Sequence, residues 1–224
     1  MSDGDSDKWP ASAEEDWLTC TDPMELFRHL FGKTGGRKLR LLCIASCRCL
    51  GSILADAYWG LLDRLEQATD ATLSADEEKQ LEADVWEHIE KFPVLADWSA
   101  SRYTASALYE LSCRAYDDAF DCIVEASKAQ GMAPQIHHHL CVILRDIFGN
   151  PFRPLAFDPA WRTTDALLLA RGIYEEKAFD RMPILADALQ DAGCDSADIL
   201  DHLRDPNATH VRGCWALDLV LGKE

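Results

Sequence analysis

Four residues in the last part of the chain, Cys194, His202, His210 and Cys214, carry thiol and imidazole groups, the side chains that bind zinc most readily. His210 and Cys214 enclose three residues, a spacing that suits a zinc pair, and a preceding Cys/His pair would complete a tetrahedral Cys2His2 set. Cys194 and His202 enclose seven, wider than the roughly two to five residues usual between paired ligands. The competing reading therefore makes the two cysteines small core residues and leaves the histidines bonded to neighbouring backbone.

Two other clusters invite the same question. Cys43 and Cys47 share a helix face while Cys49 points elsewhere, so the three do not converge without help and read as buried reduced thiols. His137, His138 and His139 spread around a helix. His137 lies one turn from Cys141, but a metal there needs a further ligand such as His88 or His29, and one buried with two exposed imidazoles is the expectation. Asp187, Asp191, Asp195, Asp198 and Asp201 form a solvated acidic face. GxSxG, Walker A, GxGxxG and HExxH patterns are all missing, which removes the sequence evidence for an enzyme without excluding one.

A third group of residues surrounds the segment Leu144 to Trp161, LRDIFGNPFRPLAFDPAW. Gly149 and Asn150 accept positive φ, while Pro151 and Pro154 forbid helix through Phe152 and Arg153, so the chain must turn. Phe148, Phe152, Leu155, Phe157 and Trp161 are too apolar for a solvated loop and predict a strap pinned to a helical core by its rings. Arg145, Phe152, Arg153, Asp158 and Trp161 are the expected interaction residues, with Asp146 and Arg162 completing the charges around an interaction or anion pocket. The alternative has Arg153 and Asp158 tying the loop to itself.

With 22 Lys and Arg against 39 Asp and Glu, the net charge of -17 argues against direct nucleic-acid binding, which needs clustered cations. The short cluster Lys33, Arg37, Lys38, Arg40 reads as a solvated approach to a helix. The acidic balance suits a basic protein partner, and permits mimicry of nucleic acid. Nine cysteines, an odd number set in apolar helical runs, speak against a disulfide framework. The acidic opening lacks a hydrophobic leader, and no apolar run is long enough to span a bilayer, so the expectation is a cytoplasmic protein with no membrane association.

Apolar residues recur at three- and four-residue steps along most of the chain, with Gly and Pro between the runs, which predicts an all-α, irregular multi-helix bundle. Residues 1–13 are expected to be a disordered acidic N-terminus and 14–224 a single helical domain, with a subdivision possible near 131–150. Asp22-Pro23 starts a helix that Gly35-Gly36 should end. One central helix is expected over Arg37–Gln67, bent near Gly51 or Gly60. Ser74 and Glu77 form a capping box for a helix with Leu81, Val85, Trp86 and Ile89 inward. A single helix is expected over Ser99–Gln130, another from Pro134, and shorter ones capped by Thr163 or Thr164, by Asp180 and by Ser196. The closing run CWALDLVL is read as helix.

The segments LRDIFGNPFRPLAFDPAW, YEEKAFDRMPILADALQDAGCDSADILDHLR and HVRGCWALDLVLGK, together with EEDWLTCTDPMELFRHLFGKTGGRKLRLLCIASCRC near the start, resemble an uncharacterised, heavily duplicated family of planctomycete-type bacterial proteins. The stretch between Gly60 and Gln135 has no counterpart in that resemblance. It implies no reaction, ligand or fold, and members joined to interaction or immunity domains imply a binding role by analogy. Together these readings predict a non-catalytic adaptor acting through an acidic and aromatic surface, with no cofactor. The alternatives are a small zinc-binding protein or metal-assisted hydrolase using the C-terminal Cys/His residues, and an acidic nucleic-acid mimic.

Overall fold

A computed structural model describes residues 11–30, 35–51, 58–71, 73–91, 100–129, 131 and 133–223. Among them the regular structure is helical throughout and no strand occurs, as the periodicity predicts. Helix α1 (Ala11–Thr19) buries Trp17, and α2 (Pro23–Arg28) begins where the Asp22 carboxylate accepts the N–H groups of Met24 and Glu25 ahead of Pro23. Gly35 and Gly36 do not end α2. They open α3 (Gly36–Cys49), with Gly35 in extended backbone at the N-cap.

The expected long central helix is two. Gly51 takes a φ of +53°, which stops α3, and α4 (Trp59–Asp70) begins beyond residues 52–57, which lie outside the described residues. The Ser74–Glu77 box is present, with each side chain bonding the other's backbone N–H, and opens α5 (Ala75–Lys91). Leu81 and Val85 are buried, but Trp86 is 49% exposed, its ring edge-on to Tyr109. Helices α6 (Ala100–Ser112) and α7 (Tyr116–Ala129) form a hairpin where one helix was expected, because Arg114 adopts a left-handed φ of +64°.

Helix α8 (Ala133–Phe148) turns Ile136, Leu140, Ile143, Leu144 and Ile147 inward. The C-terminal part holds α9 (Thr164–Glu176), α10 (Met182–Asp191), α11 (Ala197–Arg204) and α12 (Trp215–Leu221). Thr163 caps α9 through its side chain. Asp180 instead sits in a 3-10 turn before α10, and Ser196 occupies the N-cap of α11 without a side-chain bond.

Two apolar cores result. The larger gathers α1–α8 around Leu42, Phe120, Leu140 and Ile147, and the smaller gathers α9–α12 around Ile173, Leu185, Leu189 and Leu217. The proline-bearing segment runs from one to the other: Phe148 and Phe152 pack on the first, Leu155, Phe157 and Trp161 on the second. Polar groups also cross the junction. Arg37 of α3 donates to Asp70 at 2.8 Å, to Asp218 of α12 at 2.8 and 3.2 Å, and to the Tyr174 hydroxyl at 2.7 Å. Tyr174 in turn donates to Asp70 at 2.6 Å, so the α9–α12 unit is tied to α3 and α4 through charged hydrogen bonds.

Candidate metal centre

Asp146 lies in the last turn of α8, on a face the apolar stripe carries into the protein, and is only 4% exposed. A carboxylate taken this far from water must be met by donors or positive charge. Three groups from α11, the loop after it and the start of α12 gather around it. His202, in the last turn of α11, places Nε2 at 3.3 Å from Asp146 Oδ1. His210, in the loop that follows, places Nδ1 at 2.9 Å from the same oxygen. Cys214, at the N-cap of α12, puts Sγ 3.2 Å from His202 Nε2 and 3.8 Å from His210 Nδ1.

The remaining oxygen of Asp146, Oδ2, accepts the backbone N–H of Val211 at 2.8 Å, which fixes the carboxylate plane and leaves Oδ1 aimed at the histidines. Gly213, at φ +96°, turns the chain so that Cys214 points inward, and an added Cβ there would stand 2.9 Å from Leu41 Cδ1.

One oxygen, two imidazole nitrogens and one sulfur thus lie within 4.8 Å of one another. Zinc held at its usual bond lengths in a tetrahedron needs N–O and N–S edges of about 3.3–3.6 Å. The observed edges of 2.9, 3.3, 3.2 and 3.8 Å bracket that range. The donor types are those of zinc rather than of calcium or magnesium, which take all-oxygen sites. The electrostatics agree. Burial, and then the Asp146 carboxylate, hold the Cys214 thiol well above its ordinary range, a state that a divalent cation at this point would reverse. Burial alone would raise Asp146, yet hydrogen bonds from His202 and His210 bring it below the usual carboxylate range.

The structure therefore gathers His202, His210 and Cys214 from the expected set and puts Asp146 in the fourth place. Cys194 is buried among the residues of the second core, outside the group. Sequence spacing could not show Asp146, 56 residues before His202. Its signal was an acidic residue inside the buried stripe of an apolar helix.

The five expected interaction residues are spread along the strap. Arg145 donates to the carbonyls of Trp17 and Cys20 at 2.9 and 2.6 Å. Phe152 lies edge-on to Trp17 and His29, and Arg153 pairs with Glu14 rather than with Asp158. Asp158 caps the turn Pro159–Trp161 by accepting the N–H of Ala160, and Trp161 packs edge-on against Phe157. Arg162 donates to the carbonyls of Leu219 and Val220 at the end of α12. Cys43 and Cys47 are fully buried thiols, the latter pushed up to about 12 by burial, while His138 and His139 are exposed and His137 is half-buried. None of these belongs to the metal-competent group.

No protein-family model, no curated protein and no solved structure matches the chain. Among the described residues, no helix is long and apolar enough to cross a membrane.

Proposed function

We propose that this chain is a zinc-binding helical protein in which Asp146, His202, His210 and Cys214 hold one structural ion. The observation that carries the reading is the convergence of four donor atoms of the types zinc takes, all within 4.8 Å of one another, from three separate elements and a loop. Four protein donors fill a tetrahedral ion and leave no position for a reacting water. That favours a structural role over the metal-assisted hydrolase. Asp146 stands on α8 while His202, His210 and Cys214 lie between α11 and the start of α12, so the ion would fasten the α9–α12 unit to α8, beside the strap and the Arg37 network.

A basic protein partner remains the reading that the charge of -17 supports for the assembled body. Arg145 and Asp158 make hydrogen bonds within the chain, while Arg153 and Asp158 stay exposed on the strap. The resemblance to the planctomycete-type family is carried within the same proposal and adds no reaction to it.

Native mass spectrometry of protein made without a histidine tag tests the metal assignment. The expected result is one zinc per chain, lost in H210A, and a chelator that lowers the melting temperature of wild type but not of that variant. Less than about a tenth of an equivalent of zinc after zinc-replete growth overturns it.

A further inference from the structure

A cavity of about 540 Å³ opens beside the metal centre, with the His202 ring as the one wall they share. This volume is that of a small-molecule site, for which roughly 300–1,000 Å³ is usual. Trp17, Phe148, Leu155 and Trp215 supply apolar walls. The Trp215 ring is fixed on both sides: it lies 4.8 Å from the His202 ring, and a Cβ on Gly149 would come within 3.0 Å of it.

The ionisable groups of the wall have the opposite sign to the rest of the chain. Lys38, Arg145 and Arg153 outnumber Glu14 and Asp198, in a protein whose net charge is -17. Arg153 and Glu14 pair with each other. Arg145 and Lys38 are different, because their hydrogen-bond acceptors are neutral carbonyls: Trp17 and Cys20 for the guanidinium, Ile147 at 2.8 Å for the ammonium. The carboxylate of Asp218 stands 4.0 Å from Lys38 Nζ and is already engaged by Arg37. An ammonium has three donors, so Lys38, with a side chain only 20% exposed, keeps two with no acceptor in hydrogen-bond reach among the described residues. Burial lowers its pKa, against the opposing pull of the Asp218 carboxylate.

We propose that this cavity binds a small monocarboxylate with an aromatic or branched apolar body, its carboxylate on Lys38 Nζ and its body against Phe148, Leu155 and Trp215. Charge complementarity selects the anion: a carboxylate supplies acceptors that the described residues do not, in surroundings where a charge-assisted hydrogen bond is strong. The aromatic walls select the apolar body. The inference does not rest on the metal assignment, since every group it uses except His202 lies outside that centre.

Calorimetric titration of the full chain with phenylacetate, and with its uncharged isostere phenylacetamide, tests it. Phenylacetate is expected to bind at least about tenfold more tightly than the amide, a difference of roughly 1.4 kcal/mol. K38M should remove that preference, K38R should keep it, and L155W, which fills the cavity, should abolish binding of both. Circular dichroism reports whether each variant folds, and the acid–amide comparison in wild type stands if K38M does not. Equal binding of acid and amide, no binding up to about 10 mM, or a preference that survives in folded K38M overturns the proposal. So does tighter binding of a short peptide ending in phenylalanine, which would make the ligand a protein C-terminus.

Discussion

The carboxylate of Asp146, at the end of α8, accepts the backbone N–H of Val211, 65 residues further on, at 2.8 Å. One oxygen is thereby spent on orientation and the other is left for His210 and His202. If Asp146 is a metal ligand, charge and geometry both matter at this position, whereas Cys194 should matter for packing alone. D146N keeps the shape and loses the anion. It is expected to weaken zinc binding by about 10- to 100-fold or more in a competition titration, while C194S binds zinc as wild type does despite some loss of stability. Loss of zinc from C194S with Asp146 intact would restore the Cys2His2 reading.

Gly213 holds a φ of +96° directly before Cys214 and sits against the fully buried Leu41. G213A must strain the backbone and displace Leu41, at an expected loss of about 2 kcal/mol in urea unfolding, with weaker zinc binding because the thiol is re-aimed. G172A, within α9 and with open space at its Cβ, serves as the control and should stabilise by about 0.5–1 kcal/mol.

Asp70 is where pH acts on the junction between the cores. Burial by itself would raise its pKa, but bonds from Tyr174 and Arg37 outweigh that and hold it below the ordinary value. A carboxylate depressed in the folded state contributes stability that is present above its unfolded pKa of about 3.9 and is lost as pH falls through the lower, folded value. D70N should therefore be less stable than wild type by about 2–4 kcal/mol at pH 7, with the gap closing as both are taken toward pH 3. Comparing the two proteins at each pH cancels the contribution of the histidines. A gap that does not change with pH would show that Asp70 acts through packing instead.

Much of this architecture was legible in local chemistry. The Asp22-Pro23 start, the Ser74–Glu77 box, the Thr163 cap and the rings of the strap each follow from residues a few positions apart, and the structure has all of them. Where the reading joined helices that are separate, over 37–67 and 99–130, the breaks occur at Gly51 and Arg114, both at positive φ. Arginine carries no propensity signal for that conformation, so the second break is set by the packing of α6 on α7. The metal site divides in the same way. His210 and Cys214 share one short stretch and were visible as a pair, but Asp146 reaches them only through the folding of α8 against α12, a contact no spacing rule contains.

The ligand set itself is open to direct inspection by replacing the ion with cobalt(II) and recording the visible and near-ultraviolet spectrum. One thiolate and three nitrogen or oxygen donors in a tetrahedron predict intense d–d bands together with a sulfur-to-cobalt charge-transfer band, the latter lost in C214S and retained in C194S. A weak, octahedral-type spectrum that C214S leaves unchanged would contradict the account.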